Sequence, residues 1–194
     1  MGKETKRPAT YADLEALPEH VVGQIVDGEL IVMPRPANRH AVLYSSLLMR
    51  LNSAFEHGLG GPGGWWIVGE PELHLGQDVL VPDIAGWRVE RMPEIPDEPY
   101  FSVAPDWVCE VLSPSTLSLD RGRKKDIYAR EGVGHVWLVN PASQTLEVFQ
   151  SRDGHWEQRG AWSGDARVRA EPFEALELEL RILWSRKPRV PSPR

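Results

Sequence analysis

The sequence has 194 residues, of which 41% are hydrophobic and 26% are charged, as is usual for a globular domain with a substantial core. Its formal net charge of −6 excludes a protein that binds nucleic acid through overall positive charge. No apolar stretch is as long as a membrane span and no signal-peptide pattern is present, so we expect a cytoplasmic protein without membrane contact. The single cysteine, Cys109, excludes an internal disulfide and a CxxC zinc site.

The composition predicts one domain, residues 10–185, between two basic termini. Residues 1–9 are predicted to form a disordered arm, and residues 186–194 a basic, proline-rich tail. The last fourteen residues contain five basic residues and no acidic residue. Such termini either remain solvated or contact phosphate groups, and the sequence leaves both alternatives open.

The first part of the domain contains sequence signals for a helix start, for a hairpin turn and for a helical period of apolar residues. Thr10 and Asp13 have the spacing of a capping box before a short helix, residues 11–16. Asp27-Gly28 between two apolar runs predicts a tight β-hairpin. Residues 38–56 have a helical period, with His40 in the first turn. The apolar face of this helix is formed by Val42, Leu43, Leu47, Leu51 and Phe55.

The rest of the domain alternates between strand and helix patterns. Strands are predicted within residues 65–90, and a loop rich in proline and acids over residues 91–106. A buried strand over 107–112 precedes a helix over about 117–131, and further strands begin at His135. Residues 171–184 fit a strand or a helix equally well. The fold class predicted is α/β or α+β, a single domain with a mixed central sheet flanked by helices.

Two acidic residues lie in or at the end of apolar runs. Glu110 is inside WVCEVL, and Asp83 ends VLVPD. A buried charge must be paired or must hold a metal. If the two strands are neighbours, both carboxylates can converge on one Mg²⁺, which takes oxygen ligands and keeps several waters. The alternative is structural, with Asp83 capping a turn and Glu110 paired with an arginine.

The helix after this strand places one lysine on its inward face. With Lys124 at 0° on a wheel of 100° per residue, Ile127 falls at about −60° and Tyr128 at about +40°. Lys125, at about +100°, lies toward the rim. An inward lysine needs an anion. Asp120, one turn earlier, could supply it as an ordinary i, i+4 pair; Glu110 and a phosphate are the functional alternative.

The motifs, in order, are VDGEL, PD, EVLSPST, DRxRKxxxY, GVxHVWLVxP and LEVF. Each is weak alone, but the ordered set over residues 11–184 resembles the Uma-two family of restriction endonucleases, a branch of the PD-(D/E)XK nuclease superfamily. The resemblance implies a restriction-endonuclease-like fold. It also implies catalytic roles for Asp83, Glu110 and Lys124, and Mg²⁺ or Mn²⁺ held by Asp83, Glu110 and Val111. The superfamily lysine position is Leu112 here, and the family takes its lysine from the next helix, at Lys124.

Four further residues are predicted to bind substrate: Gln24, His40, Lys125 and Tyr128. The family commonly has glutamate where this chain has Gln24, which supplies an oxygen but no negative charge. His40 resembles a histidine that recurs in the family, and either a substrate contact or a structural hydrogen bond suits it. Asn140 stands where the family tends to aspartate, and we expect it to be a turn residue.

The predicted function is therefore a Mg²⁺-dependent endonuclease that hydrolyses phosphodiester bonds of DNA. A homodimer is expected, because many nucleases that cut duplexes are two-fold dimers, and the tryptophan-rich stretch Gly64–Val68 is the candidate interface. The alternative is a catalytically weakened nucleic-acid-binding or interaction domain that retains the fold, which Gln24 and the acidic net charge favour.

Overall fold

The structure is a computed structural model, and it describes residues 7–34 and 38–184. Its strands are β1 (Val21–Val26), β2 (Glu29–Pro34), β3 (Trp65–Gly69), β4 (Leu73–Leu75), β5 (Asp78–Leu80), β6 (Ile84–Arg88), β7 (Trp107–Val111), β8 (His135–Asn140), β9 (Thr145–Arg152), β10 (His155–Ser163), β11 (Arg167–Val168) and β12 (Leu178–Glu179). Its α-helices are α1 (Tyr11–Glu15), α2 (Asn38–Leu51), α3 (Leu117–Leu119), α4 (Lys125–Arg130) and α5 (Arg181–Trp184). Within the described ranges, no helix is both long enough and apolar enough to cross a membrane.

The N-terminal segment is tied to the first hairpin. The Thr10 N–H donates a hydrogen bond to the Asp13 carboxylate at 2.8 Å, which confirms the predicted capping box. The Ala9 N–H donates to the Gly28 carbonyl at 2.8 Å. Residues 7–9, predicted to lie in a disordered arm, therefore have defined contacts, and the rest of that arm lies outside the described residues.

The β1–β2 hairpin belongs to a four-stranded antiparallel sheet with the order β2-β1-β5-β4. Its turn residues Asp27 and Gly28 have φ values of 50° and 75°. A tight hairpin turn with positive φ at both central positions favours Asp-Gly, so the predicted turn is confirmed. Val22 on β1 pairs with Met33 on β2, and this pair later forms part of a cavity wall.

A six-stranded sheet with the order β10-β9-β8-β7-β6-β3 forms the centre of the molecule. In this sheet β7 and β8 are parallel, and the other neighbours are antiparallel. The parallel pair needs a crossover connection, which α3 and α4 supply. Ile84 on β6 aligns with Cys109 on β7, which brings Asp83, just before β6, to the end of β7 that carries Glu110. The two predicted acidic strands are therefore neighbours.

Helix α2 packs on one face of the large sheet. Leu43, Leu47, Leu51 and Phe55 are buried in this face, as the helical period predicts. Val42 was predicted to share their stripe, but it is 59% exposed. It lies one residue, or about 100°, from a stripe that repeats every four residues, and this rotation turns it toward solvent.

The opposite face of the sheet is covered by α4. Val108 and Leu112 point to this face with Ile127 and Tyr128, whereas Trp107, Cys109 and Val111 point to the α2 face. Because side chains alternate along a strand, Glu110 faces α4. The orientation of α4 predicted from the helical wheel is confirmed.

Three predicted elements differ from the structure. The helix predicted over 38–56 is α-helical only to Leu51 and ends in a π-helical turn, Asn52–Glu56. The helix predicted over 117–131 is divided by a π-helical turn, Asp120–Lys124, in which Gly122 has non-helical angles (φ −108°, ψ −105°). Glycine weakens a helix interior by about 1 kcal/mol relative to alanine, so the segment is divided at its weakest residue. Residues 171–184, which fit a strand or a helix, contain both β12 and α5.

Candidate active site

A cavity of about 520 Å³ lies between the β1–β2 hairpin and the ends of β6 and β7 that carry the predicted acids. Asp83, Glu110, Val111 and Lys124 all line it, together with Asp120 from the π-helical turn. The sheet register positions the two carboxylates, and the crossover after β7 positions the lysine. The structure thus brings together every residue predicted to be catalytic or to hold a metal.

Asp83 is fixed by two neighbours. One carboxylate oxygen, Oδ2, accepts the Val111 N–H at 2.6 Å, and Oδ1 lies 3.1 Å from Nε2 of His40. Asp83 is thereby joined to the β7 strand end and to the first turn of α2. This arrangement points the carboxylate toward the backbone of the residue that follows Glu110.

Glu110 is 2% exposed and is held through a single oxygen. Oε1 lies 2.6 Å from Nζ of Lys124 and accepts the Tyr128 hydroxyl at 2.6 Å. Lys124 is also 2% exposed, and Asp120 lies 3.5 Å from its Nζ. The sequence left Asp120 and Glu110 open as alternative partners for this lysine, and the structure gives it both.

Burial and charge act against each other in this cluster. Burial raises the pKa of Glu110 to about 8, although the Lys124 ammonium lowers it. Burial alone would lower the pKa of Lys124, yet its pKa is raised because Glu110, Asp120 and Asp83 surround it. Lys124 is therefore a buried ammonium, because three acidic side chains favour its charged form, and it lies 2.6 Å from the Glu110 carboxyl.

His40 joins Asp83 to the β7 backbone. Burial lowers the pKa of this imidazole, but hydrogen bonds to the Asp83 carboxylate and to the backbone of Val111 outweigh burial and raise it. Its ring therefore contacts two of the three predicted metal ligands. The structure shows the hydrogen bond that the sequence allowed for His40, and because His40 also lines the cavity, its substrate contact stays a prediction.

Comparison with known proteins identifies the family. A sequence model of the Uma2 (Uma-two) family, whose description is "Putative restriction endonuclease", matches residues 8–182. The chain belongs to this family. The "Uncharacterized protein slr1290" of Synechocystis sp. is 29% identical over 136 residues, which cover 67% of each chain.

A solved structure has the same fold as this Uma2 chain. The crystal structure of a "putative nuclease belonging to DUF820" from Anabaena variabilis has a TM-score of 0.74 and 24% sequence identity. The match covers 91% of this chain and 98% of that one. The predicted nuclease-like fold, mixed α+β in a single domain, is confirmed.

Three residues predicted to bind substrate have other contacts in this Uma2 protein. Tyr128 is 0% exposed and is not among the residues that line the cavity, and its hydroxyl donates to Glu110 at 2.6 Å. Gln24 is 1% exposed, and its Oε1 accepts the Val81 N–H at 3.0 Å, two residues before Asp83. The Nζ of Lys125 lies 3.4 Å from the Phe149 ring centroid, and Lys125 is not among the residues that line the cavity.

Other cavity residues were not identified from the sequence. Ser113, Ser115 and Thr116 line the cavity with hydroxyl groups that bond one another at 2.9 and 3.0 Å. Glu70 is an exposed acid that also lines it and has an unusual φ of 48°. The SPST motif after the acidic strand was the available signal for the hydroxyls. Glu70 had none, because only the fold brings it beside the cavity.

The residues present suit a magnesium ion. Mg²⁺ in proteins is held by one or two carboxylates and otherwise by waters and substrate phosphates. Asp83 and Glu110 supply two carboxylates, and Val111 belongs to the same lining. In the part of the chain that the structure describes, no three His, Cys, Asp or Glu residues are grouped to hold a metal ion. Two carboxylates are a partial donor set of the kind that Mg²⁺ completes with water and substrate oxygens.

Proposed function

We propose that this Uma2 protein is a divalent-metal-dependent endonuclease that hydrolyses phosphodiester bonds of DNA. The observation that supports this function is a buried ammonium beside two convergent carboxylates in one cavity: Lys124 with Glu110 and Asp83. An ordinary structural ion pair needs one lysine and one acid. Here four acids line the same cavity with one lysine, which leaves donor oxygens for a cation.

In the proposed reaction, the water oxygen forms a bond to phosphorus and the bond to one ester oxygen breaks. The water gives up one proton to the solvent, and the departing oxygen takes up one proton and leaves as a hydroxyl group. Negative charge grows on the phosphate oxygens, and the Lys124 ammonium lies in the cavity where it can stabilise them. Such a preorganised charge has a larger effect in a water-poor cavity than in bulk water. Asp120 and Tyr128 act through other residues: Asp120 holds the ammonium and Tyr128 holds Glu110.

Asp83, Glu110 and the Val111 carbonyl would hold Mg²⁺ or Mn²⁺. When bound, such an ion polarises the phosphate as a Lewis acid. His40 orients Asp83 through its hydrogen bond at 3.1 Å. DNA as the partner, a cytoplasmic location and a homodimer belong to the same proposal.

Cleavage of plasmid DNA by clean protein, with Mg²⁺ or with EDTA, tests this function. We expect metal-dependent cleavage that Asp83→Ala and Glu110→Gln abolish, and calorimetry should show loss of metal binding in both variants. Asp97→Ala, an exposed acid in the loop over residues 91–106, is the matched control and should cleave normally.

Unchanged metal affinity in both cavity variants would contradict the assignment of the ligands. DNA binding without metal-dependent cleavage would favour the weakened binding domain instead. Gln24 is the observation that favours this second candidate, because its amide oxygen is already bonded to the Val81 N–H and adds no charge to the cavity.

A further inference from the structure

The walls of the cavity differ in chemical character. Its buried charged groups come from the ends of β6 and β7 and from the π-helical turn, where Asp83, Glu110 and Lys124 lie, and the exposed Glu70 follows β3. The β1–β2 hairpin contributes Val22, Gln24 and Met33, which are uncharged. A phosphate alone needs only the charged side, and the apolar side therefore calls for another part of the ligand.

Val22 and Met33 form a continuous apolar surface. They are direct partners across the hairpin, and both are half-buried at the cavity lining. Side chains directly opposite each other on paired strands lie about 5 Å apart, so the two present one patch. Nucleic-acid enzymes that take a single base into a pocket hold it against apolar or aromatic side chains of this kind.

The size of the cavity also limits what enters it. A volume of about 520 Å³ corresponds to a cube about 8 Å on each side. A DNA duplex is wider than its major groove, and that groove alone is about 12 Å wide. A paired duplex therefore does not fit into a cavity of this size. A pocket of about 300–1,000 Å³ encloses one small molecule, and a nucleotide unit is of that size.

The reacting groups lie inside the cavity. Glu110 and Lys124 are each 2% exposed, so a phosphate must enter the cavity to reach the ammonium. In a paired strand, base pairing and stacking hold each phosphate on the outside of a stiff helix. An unpaired strand bends freely and can insert one nucleotide.

From these features we infer that the cavity takes one unpaired nucleotide, with its phosphate at Lys124 and its base or sugar against Val22 and Met33. The preferred substrate is then a single-stranded or locally unpaired DNA, and an intact duplex is a poor substrate. This inference rests on the proposed endonuclease function and specifies its substrate.

Three DNAs of one sequence test the inference: a single strand, the intact duplex, and the duplex with a central unpaired bubble. With Mg²⁺, we expect kcat/KM for the single strand and the bubble to exceed that for the duplex by at least about tenfold, because a paired nucleotide must first be unstacked and unpaired. A duplex cleaved as fast as the single strand would overturn the inference while leaving the endonuclease function intact.

If none of the three DNAs is cleaved, the endonuclease function fails, and binding still decides the inference. Fluorescence anisotropy with labelled strands should then show that the single strand binds at least about tenfold more tightly than the duplex, a ratio that corresponds to about 1.4 kcal/mol. Equal affinities would overturn it.

Variants on β2 test the apolar wall. Met33→Glu places a negative charge against the nucleotide and should lower kcat/KM for the single strand at least about tenfold, since like charges repel. Val32→Glu, the next residue, is 46% exposed and outside the lining, so it should act as wild type. Met33→Ala, a milder change, should raise KM with little change in kcat. Equal effects of the Met33 and Val32 variants would contradict a wall that contacts the nucleotide.

Discussion

Lys124 is a buried charged side chain that has two acidic neighbours, Glu110 at 2.6 Å and Asp120 at 3.5 Å. Removing one member of a buried ion pair leaves the partner charge unpaired and costs about 3–5 kcal/mol. The cluster is therefore sensitive to truncation for reasons of stability as well as catalysis. A test of catalysis must separate the two effects.

At Lys124 we expect substitution by Met, which keeps the length of the side chain, to lower the cleavage rate by about 10²–10³-fold, the usual loss when one charge-stabilising group is removed. DNA affinity should change far less, because the interaction is made in the transition state. Single-turnover cleavage and anisotropy measure the two quantities. Circular dichroism at the assay temperature checks that the variant is folded.

Lys125→Ala is the matched control on the same helix. Its ammonium lies over the Phe149 ring, so loss of this cation–π contact should lower the free energy of unfolding by about 0.5–1 kcal/mol. Cleavage and DNA affinity should stay near the wild-type values. An inactive Lys125→Ala beside an active Lys124→Met would contradict the assignment of the catalytic lysine.

Single residues were predictable where one element determines their direction. The inward direction of the Lys124 side chain follows from the helical period, and the direction of the Glu110 side chain follows from strand alternation. The contacts of Gln24 and Tyr128 depend on side chains or backbone from distant elements, and no local pattern encodes these pairings. The position of Lys125 over Phe149 likewise requires β9 to pass beside α4, which the wheel does not describe.

At the scale of elements, the sequence predicted correctly those turns and helix starts that a few neighbouring residues determine. The Asp27-Gly28 turn and the capping box at Thr10 are each complete within four residues, and both were predicted correctly. The π-helical turn Asp120–Lys124 was not predicted, because a single glycine in a helical pattern permits such a break without requiring it. That turn matters to the site, since it carries both Asp120 and Lys124.

Strand β3 lies at one edge of the large sheet, and the outer backbone groups of its middle residue, Ile67, are covered by side chains. The Ile67 N–H donates to the Glu56 carboxylate at 3.2 Å, and the Ile67 carbonyl accepts the Asn52 amide at 3.2 Å. Sheet edges that lack such cover invite pairing with another chain. The capped edge lies within Gly64–Val68, the predicted dimer interface, where Trp65 and Ile67 are buried.

We expect Glu56→Ala to lower the free energy of unfolding by about 1 kcal/mol, because the Ile67 N–H loses its hydrogen-bond acceptor. Urea denaturation measures this change. Ser53→Ala lies in the same π-helical turn as Glu56, Asn52–Glu56, loses only a contact of 3.4 Å and is the control. Equal stabilities of the two variants would show that Glu56 does not cap the edge.

Light scattering on the same samples addresses assembly. Glu56→Ala should associate more than wild type, because its β3 edge is open to pairing. Dimerisation of the wild type through Gly64–Val68 stays a prediction, and a monomer at high micromolar concentration would contradict it.

At the scale of the whole molecule, charge is distributed unevenly along the chain. Residues 1–6 and 185–194 contain six basic residues and one acid, which gives them a net charge of +5. Because the whole chain has a net charge of −6, residues 7–184 carry a net charge of −11. An acidic body repels DNA at long range.

The topology of residues 7–184 was predictable from the sequence only as far as the presence of a mixed sheet. Its strand order, and hence the cavity, depends on long-range pairings that no local signal determines.

The basic C-terminal tail, residues 186–194, should supply DNA affinity that the acidic body lacks. It contains four basic residues, Arg186, Lys187, Arg189 and Arg194. Each phosphate contact that is lost lowers the salt slope of binding to a single strand by about 0.7, so replacing all four by Gln should reduce the slope by up to about 3. Anisotropy titrations from low to physiological salt measure the slope. The rate at saturating DNA should stay unchanged, because Asp83, Glu110 and Lys124 remain. A tail variant with the wild-type slope would show that the tail stays solvated and that the body alone binds DNA.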